Sequence, residues 1–136
     1  MKRIPDASFA SAVFIPSQAI PGAMAVIQDA IDELVAPDIL RQEFLHLLLG
    51  VERRRLAPAT SVASARASFS AVPIRYYHSN GWVDRAYELS RELGTGLFDT
   101  IYLVAAEDLD AELWTLDQRF LRALGGRYAG RVRTLT

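Results

Sequence analysis

The sequence predicts an α/β protein with helices on both faces of a central, mostly parallel sheet. Short apolar runs alternate with longer segments of helical spacing along the chain. A length of 136 residues, with 51% hydrophobic and 23% charged residues, suits one domain with a full core. We therefore expect a three-layer α/β/α sandwich formed by a single domain over residues 1–136.

Composition excludes several classes of protein. The chain has no cysteine, so a disulfide framework, a thiolate metal site and a cysteine nucleophile are excluded. No stretch approaches the ~18 consecutive apolar residues of a membrane span. The N-terminus is charged and lacks the apolar region of a signal peptide. These observations predict a cytoplasmic protein without membrane contact.

The first predicted strand ends at Pro5, where a missing N–H is tolerated because strand pairing stops there. Asp6 then opens a helix with Ser8 beside it, and taken alone Asp6 is a helix cap. The next segment, residues 20–34, has helical spacing and is predicted to be one helix. Its apolar positions form a stripe: Ile20, Ala23, Met24, Ile27, Ile31 and Leu34.

The middle of the chain repeats the alternation of strands and helices. Its predicted elements are a strand at 35–37, helices over 39–55 and 58–72, a strand at 73–77 and a helix over 82–93. Asp38 stands where it would cap the helix over 39–55. The apolar stripe of that helix is Leu40, Phe44, Leu47 and Val51.

Glu43 projects from this apolar stripe because it lies three residues after Leu40 and four before Leu47. A buried carboxylate without a partner is costly. We therefore expect a metal ion, a hydrogen-bond network or an arginine such as Arg41 or Arg119 near it.

Residues 94–120 are the segment around which the rest of the chain is organised. Glycines at 94 and 96 form a turn, and the helix that follows is apolar on nearly every face, which is typical of a core helix. Asp99 lies in its first turn, where the helix dipole favours a negative charge. A strand at 113–115 follows, and Asp117 opens another helix. A last edge strand is expected at 132–135.

The acidic residues of these elements are candidates for one site, since ligands bind at the carboxyl ends of parallel strands. Asp6 and Asp117 each follow a predicted strand. If they meet Glu43 and Asp99, the carboxylates repel one another unless a cation neutralises them. Oxygen-only ligands favour Mg²⁺ or Mn²⁺, which activate water for attack on a phosphodiester. Thr115 either positions a water or a carboxylate oxygen there or is an ordinary strand residue.

Arginines concentrate after Asp117, at positions 119, 122, 127, 131 and 133. They are either a phosphate-holding rim beside the acidic residues or a solvated surface. Charge alone favours the solvated surface, since the net charge is −1.

Four short motifs together resemble the PIN domain family, the nuclease fold of VapC-type toxins. They are DAS at 6–8, APD at 36–38 with Glu43 beyond it, FDTIYL at 98–103 and TLDQRF at 115–120, in the order found in that family. The chain departs from the family pattern at Pro5, Ala12 and His46. These departures concern the geometry of the first strand and one helix flank, and every acidic position is retained.

The resemblance implies a metal-dependent endoribonuclease with a PIN-like fold. Its site residues would be four carboxylates that hold Mg²⁺ or Mn²⁺, supported by Ser8 and Thr115: Asp6, Glu43, Asp99 and Asp117. Small members are usually toxins of toxin–antitoxin pairs that cleave RNA, form homodimers and are silenced by a cognate antitoxin protein. The alternative is a non-catalytic PIN-fold module that binds RNA or protein. A receiver-like signalling domain is set aside because it needs a late lysine, and the chain has only Lys2.

Overall fold

A computed structural model describes residues 1–135; Thr136, the last residue of the predicted domain, lies outside the described residues. The strands are Lys2–Pro5 (β1), Val35–Pro37 (β2), Arg75–Tyr77 (β3), Ala111–Trp114 (β4) and Val132–Arg133 (β5). The helices are Ala7–Phe14 (α1), Ala23–Gln28 (α2), Ile39–Arg53 (α3), Ala59–Ala71 (α4), Val83–Leu93 (α5), Leu97–Leu109 (α6) and Gln118–Leu124 (α7). This order of strands and helices is the predicted one.

The strands pair in parallel, as predicted. β1 pairs with β4, so that Ile4 lies opposite Leu113, and β4 pairs with the edge strand β5. β2 pairs with β3, and a parallel bridge between Arg3 and Leu34 places this pair beside β1. The strand order is therefore β3–β2–β1–β4–β5, and connections that leave β1 in both directions put helices on both faces. The predicted three-layer α/β/α architecture is confirmed.

α6 is the buried helix of the fold, as its apolar sequence predicted. Every residue from 100 to 106 is buried, and Leu103 is fully enclosed. α6 packs against α5 and β4, and Gly94 ends α5 in the left-handed conformation (φ 72°) that lets the chain turn into α6. This packing fixes the first turn of α6 relative to the ends of β1 and β4.

Pro5 does not disturb the first strand. It remains in register opposite Trp114, and the next amide, the N–H of Asp6, donates to the Trp114 carbonyl at 3.1 Å. The hydrogen bonding between β1 and β4 therefore continues past Pro5, which has no N–H to donate. The departure at Pro5 leaves the position of Asp6 intact.

The predicted helix over 20–34 is wrong in extent, because α2 covers only Ala23–Gln28. Gly22 precedes it with a φ of 89°, and the chain turns after Gln28, so helical spacing is not kept to the end of the segment. Half of the predicted stripe is buried as a result, namely Ala23, Ile27 and Leu34. The other half is exposed to solvent, namely Ile20, Met24 and Ile31.

Two smaller expectations are also corrected. In α3 one member of the predicted stripe is wrong, because Leu48 is buried and Leu47 is exposed, whereas the other three members are buried as predicted. Asp38 makes no side-chain cap of α3; its carboxylate accepts hydrogen bonds from Ser79 instead. None of the helices described over residues 1–135 is long and apolar enough to span a bilayer.

Candidate functional site

Asp6 is buried at the carboxyl end of β1, with 5% of its surface exposed. Its Oδ1 accepts a hydrogen bond from the Ser8 hydroxyl at 2.6 Å and another from the Phe9 amide at 2.9 Å, which caps α1. Burial raises the pKa of Asp6 to about 6, although these hydrogen bonds oppose the rise. The carboxyl group is thus held in place and is poorly solvated for a negative charge.

Two hydroxyl groups connect the end of β1 to the end of β4. Ser8 Oγ accepts from the amide of Leu116 at 2.9 Å and lies 3.4 Å from Thr115 Oγ1. Thr115 Oγ1 accepts from the amide of Asp117 at 3.1 Å. Thr115, which is fully buried, therefore holds the backbone of the chain at Asp117. Both predicted supporting residues lie between the two strand-end aspartates.

Asp117 caps α7, as the sequence predicted. Its Oδ1 accepts from the amides of Arg119 and Phe120 at 3.0 and 3.1 Å. Asp117 and Asp99 both line a hollow of about 450 Å³, and Thr95 and Arg119 also line it. We call this the polar hollow.

Asp99 lies in the first turn of α6 and interacts with each of the other three acidic residues. Burial raises its pKa to about 7, and the negative charges of Asp117, Asp6 and Glu43 add to the rise. Such repulsion acts between carboxylates that are close neighbours in a poorly solvated place. The structure therefore gathers the four predicted acidic residues around the first turn of α6.

Glu43 reaches this group from α3, and its partner is Tyr102. The Tyr102 hydroxyl donates to Glu43 Oε1 at 2.7 Å, and burial raises the pKa of Glu43. The suggested arginine partners do not fill this role, since Arg41 lies over the ring of Tyr76 with its Cζ 6.0 Å from the centroid and Arg119 lines the polar hollow.

Tyr102 lies within the FDTIYL motif, and no role was predicted for it from the sequence. The signal was available, because Tyr102 follows Asp99 by three residues and both therefore lie on one face of α6. A hydroxyl in an otherwise apolar helix needs a partner when it is buried, and Tyr102 is 2% exposed.

The oxygen atoms of the acidic residues are ligands that suit a hard divalent cation, whereas the positions of these side chains do not form a complete set of metal ligands. The set offers only carboxylate and hydroxyl oxygens, and two of its pKa values are raised by burial and mutual repulsion. Over residues 1–135, however, no group of three or more Asp, Glu or His side chains is arranged to hold a metal ion. Metal binding by this set therefore stays a prediction.

The predicted basic rim resolves into separate contacts. Arg119 lines the polar hollow. Arg131 pairs with Asp110 at 3.0 Å, and Arg133 pairs with Glu112 at 3.2 Å. These two arginines are engaged beside β4 and β5, and Arg127 is hydrogen-bonded to main-chain carbonyls of α7. Of the five arginines, Arg119 is the one that lines the polar hollow.

The comparison with known families agrees with this geometry. A family model described as PIN domain matches residues 3–125. The chain belongs to the PIN domain family. The match includes all four acidic residues and every helix from α1 to α7. PIN domains are generally nucleases, so the fold is a nuclease-type fold. Among curated proteins, none matches this chain.

Proposed function

We propose that this protein is a metal-dependent endoribonuclease whose site is the acidic cluster, defined as Asp6, Glu43, Asp99 and Asp117. The observation that carries the proposal is the convergence of four carboxylates near the first turn of α6, where the charges of the other three act on Asp99. A protein keeps four mutually repelling carboxylates together at a cost in stability, and a bound cation offsets that cost. Membership of a nuclease family supports the same function.

The acidic cluster and the residues around it have distinct roles in this proposal. The carboxylates would hold Mg²⁺ or Mn²⁺, which supplies a lowered water pKa and charge stabilisation at the scissile phosphate. Ser8 orients Asp6 through its 2.6 Å hydrogen bond. Thr115 fixes the backbone at Asp117, and Tyr102 orients Glu43. Arg119, at the polar hollow, is placed to meet an RNA phosphate.

The biological role belongs to the same proposal. Membership of the PIN domain family supports a VapC-type toxin of a toxin–antitoxin pair. Such a toxin would act in the cytoplasm as a homodimer of single-domain subunits and would be silenced by a cognate antitoxin.

A second function is favoured by one observation. The acidic cluster as it stands does not include three side chains arranged to hold one ion over residues 1–135. A non-catalytic PIN-fold module that binds RNA or protein would need no such arrangement.

The test is cleavage of total RNA by the purified protein in Mg²⁺, in Mn²⁺ and in EDTA. Asp99→Asn is the variant, and Asp84→Asn is its matched control, since Asp84 is an exposed aspartate in the first turn of another helix, α5. We expect cleavage that needs the metal, falls more than about 100-fold in Asp99→Asn and is unchanged in Asp84→Asn. Loss of a residue that only supports a metal ligand typically costs about 10–100-fold, so loss of a ligand should exceed this.

Equal cleavage in EDTA and Mg²⁺ would contradict the metal-dependent mechanism. Calorimetric titration with Mn²⁺ separates the remaining cases. Metal binding without cleavage of total RNA indicates a substrate that was absent, whereas neither binding nor cleavage supports the non-catalytic module.

A further inference from the structure

Three hydroxyl groups meet where α5 turns into α6, beside the polar hollow. Thr100, which is fully buried on α6, lies at the centre of the group. Its Oγ1 lies 2.8 Å from Ser90 Oγ and 2.7 Å from Thr95 Oγ1. It also donates to the carbonyl oxygen of Gly96 at 2.8 Å. We call Ser90, Thr95 and Thr100 the hydroxyl cluster.

The Gly96 carbonyl fixes the direction of every hydrogen bond in the hydroxyl cluster. A hydroxyl group has one proton to donate and two lone pairs that accept. Because a carbonyl only accepts, Thr100 uses its proton on Gly96. The hydroxyls of Ser90 and Thr95 therefore both donate to Thr100 Oγ1. Thr95 has no proton left for another partner, so its oxygen can act only as an acceptor.

Thr95 is the member of the hydroxyl cluster that lines the polar hollow. The two aspartates of that hollow also offer acceptors. Asp117 uses only Oδ1 for the amides that it caps, which leaves Oδ2 free of hydrogen bonds within residues 1–135. No hydrogen bond stabilises the Asp99 carboxylate among the influences on its pKa. The polar hollow thus collects oxygen acceptors that need donors from a bound species.

A hydrated divalent cation supplies both donors and positive charge. Mg²⁺ loses water reluctantly, so it typically keeps several water molecules while one or two carboxylates bind it directly. The acidic cluster suits such an ion, because over residues 1–135 no three acidic side chains are arranged to hold a metal ion by themselves. The retained water molecules must then donate hydrogen bonds to acceptors on the protein.

The committed proton of Thr95 makes its oxygen well suited to this part. A threonine hydroxyl at a surface rotates and serves as donor or acceptor. In this fold the bond to Thr100 fixes the hydroxyl, so that no reorientation is needed when a water molecule donates to it. Groups that are already oriented in this way bind at a lower entropic cost.

We propose that Thr95 is a positioning residue of the nuclease site, whose oxygen accepts a hydrogen bond from the hydration water of a cation held by Asp99 and Asp117. The proposal rests on the proposed function, because it takes the acidic cluster as the cation site. It adds a residue that lies outside both the acidic cluster and the four sequence motifs. Thr95 orients water and does not bind the ion directly.

The experiment is calorimetric titration of the whole chain with Mn²⁺, with cleavage of total RNA measured alongside. Thr95→Val is the variant, because valine keeps the branched shape of threonine and lacks the hydroxyl. Thr95→Ser keeps the hydroxyl and tests for rescue. Ser90→Ala is the matched control, since it also removes one donor to Thr100 and Ser90 does not line the polar hollow.

We expect Thr95→Val to weaken Mn²⁺ binding by about 10-fold, the lower end of the loss caused by removing partners of metal ligands. Cleavage at limiting Mn²⁺ should fall with it, and Thr95→Ser should restore the wild-type dissociation constant. Ser90→Ala should lower Tm in EDTA as much as Thr95→Val does, because each variant removes one hydrogen bond to Thr100. Its Mn²⁺ affinity should equal that of the wild type.

Three results would overturn the role of Thr95 and leave the nuclease proposal standing. An unchanged Mn²⁺ dissociation constant in Thr95→Val is the first. An equal loss of affinity in Ser90→Ala would mean that the hydroxyl cluster acts only by holding α5 against α6. An equal loss in Thr95→Ser would mean that the shape of the side chain matters and its oxygen does not.

Two further results separate this proposal from the proposed function. Failure of the wild-type protein to bind Mn²⁺ would remove the cation site, and both proposals with it. Mn²⁺ binding that depends on the Thr95 hydroxyl, in a protein that never cleaves RNA, would keep the role of Thr95 at the cation and remove the nuclease.

Discussion

Two aspartates in this fold each follow a buried strand, and their surroundings shift the pKa of the carboxyl group in opposite directions. Asp6 follows β1, and Asp38 follows β2, at the same edge of the parallel strands. Burial raises the pKa of Asp6 to about 6. Burial also acts upward on Asp38, but hydrogen bonds from Ser79 and His78 outweigh it and hold the pKa of Asp38 below its usual range.

The difference lies in what the neighbouring strand and helices bring to each carboxylate. At the end of β3 the chain supplies donors: the amide and hydroxyl of Ser79 lie 3.2 and 3.0 Å from Asp38 Oδ1, and His78 Nδ1 lies 3.2 Å from Oδ2. Asp38 therefore fastens the end of β2 to the end of β3. Asp6 also accepts hydrogen bonds, from Ser8 and Phe9, but it is buried and has Asp99 and Asp117 as charged neighbours. A position at a strand end is thus insufficient for a site, and burial of the carboxylate beside other carboxylates is what distinguishes one.

The largest expected effect is on the pH dependence of stability without metal. The pKa values of Asp6 and Asp99 are raised above 3.8 in the folded state, to about 6 and about 7. The folded protein therefore holds more protons than the unfolded chain from the unfolded pKa of 3.8 up to about pH 7, and its stability falls as pH rises through this range. We expect the free energy of unfolding in EDTA to fall by about 2 kcal/mol from pH 5 to pH 8, after discounting the partly exposed Asp99 for solvent screening.

Urea unfolding at each pH in EDTA measures this change. Addition of Mn²⁺ should stabilise the protein more at pH 8 than at pH 5, because protons compete with the cation at low pH. The double variant Asp6→Asn, Asp99→Asn is the control and should lack the fall. If the free energy of unfolding of the wild-type protein does not change between pH 5 and pH 8, the proposed contrast between the pKa values at Asp6 and Asp38 is wrong.

The next effect concerns the hydrogen bond between Tyr102 and Glu43. Tyr102→Phe keeps the buried ring and removes the donor that lies 2.7 Å from Glu43 Oε1. We expect cleavage and Mn²⁺ affinity each to fall about 10-fold, because partners that orient metal ligands contribute this much. Loss of the bond should lower the free energy of unfolding by about 1 kcal/mol.

Tyr128→Phe is the control, since Tyr128 is half-buried against the same core and its hydroxyl makes no hydrogen bond to residues in the described part of the chain. A purely structural role of Tyr102 predicts lower stability with an unchanged Mn²⁺ dissociation constant in calorimetry. That outcome would exclude Tyr102 as a positioning residue.

The smallest effect is on the free energy of unfolding of two variants, which should change in opposite directions. In EDTA at pH 8, Asp99→Asn should raise the free energy of unfolding by about 1 kcal/mol, because a repelled charge is removed. Asp38→Ala should lower it by about 1 kcal/mol, because the hydrogen bonds to Ser79 are lost. Since the pKa of Asp38 is lowered, its contribution is present above the unfolded value of 3.8 and is lost as pH falls through the folded pKa.

Thermal unfolding of each variant is measured alongside the wild type. We expect Tm to shift by a few degrees, upward in Asp99→Asn and downward in Asp38→Ala. RNA cleavage by Asp38→Ala should stay within about twofold of the wild type, since Asp38 lies outside the acidic cluster. Shifts of the same sign in the two variants would mean that the two carboxylates have similar environments after all.

The prediction from sequence was most accurate for features that depend on neighbouring residues along the chain. The buried helix α6, the cap at Asp117 and the turn at Gly94 follow from local composition. It failed over residues 20–34, where Gly22 and a turn after Gln28 interrupt a periodic pattern. Periodicity records which residues are apolar and gives no account of where the backbone turns.

The sequence by itself determined the order of strands and helices and the family, and it predicted the four acidic residues as candidates for one site. Only the tertiary structure decided which side chains meet across the chain. Tyr102 and Glu43 are 59 positions apart, and Ser79 and Asp38 are 41 apart. Such pairs form because packed helices and parallel strands bring remote segments together, and no local pattern encodes that distance. The raised pKa of Asp99 and the polar hollow arise from the same packing.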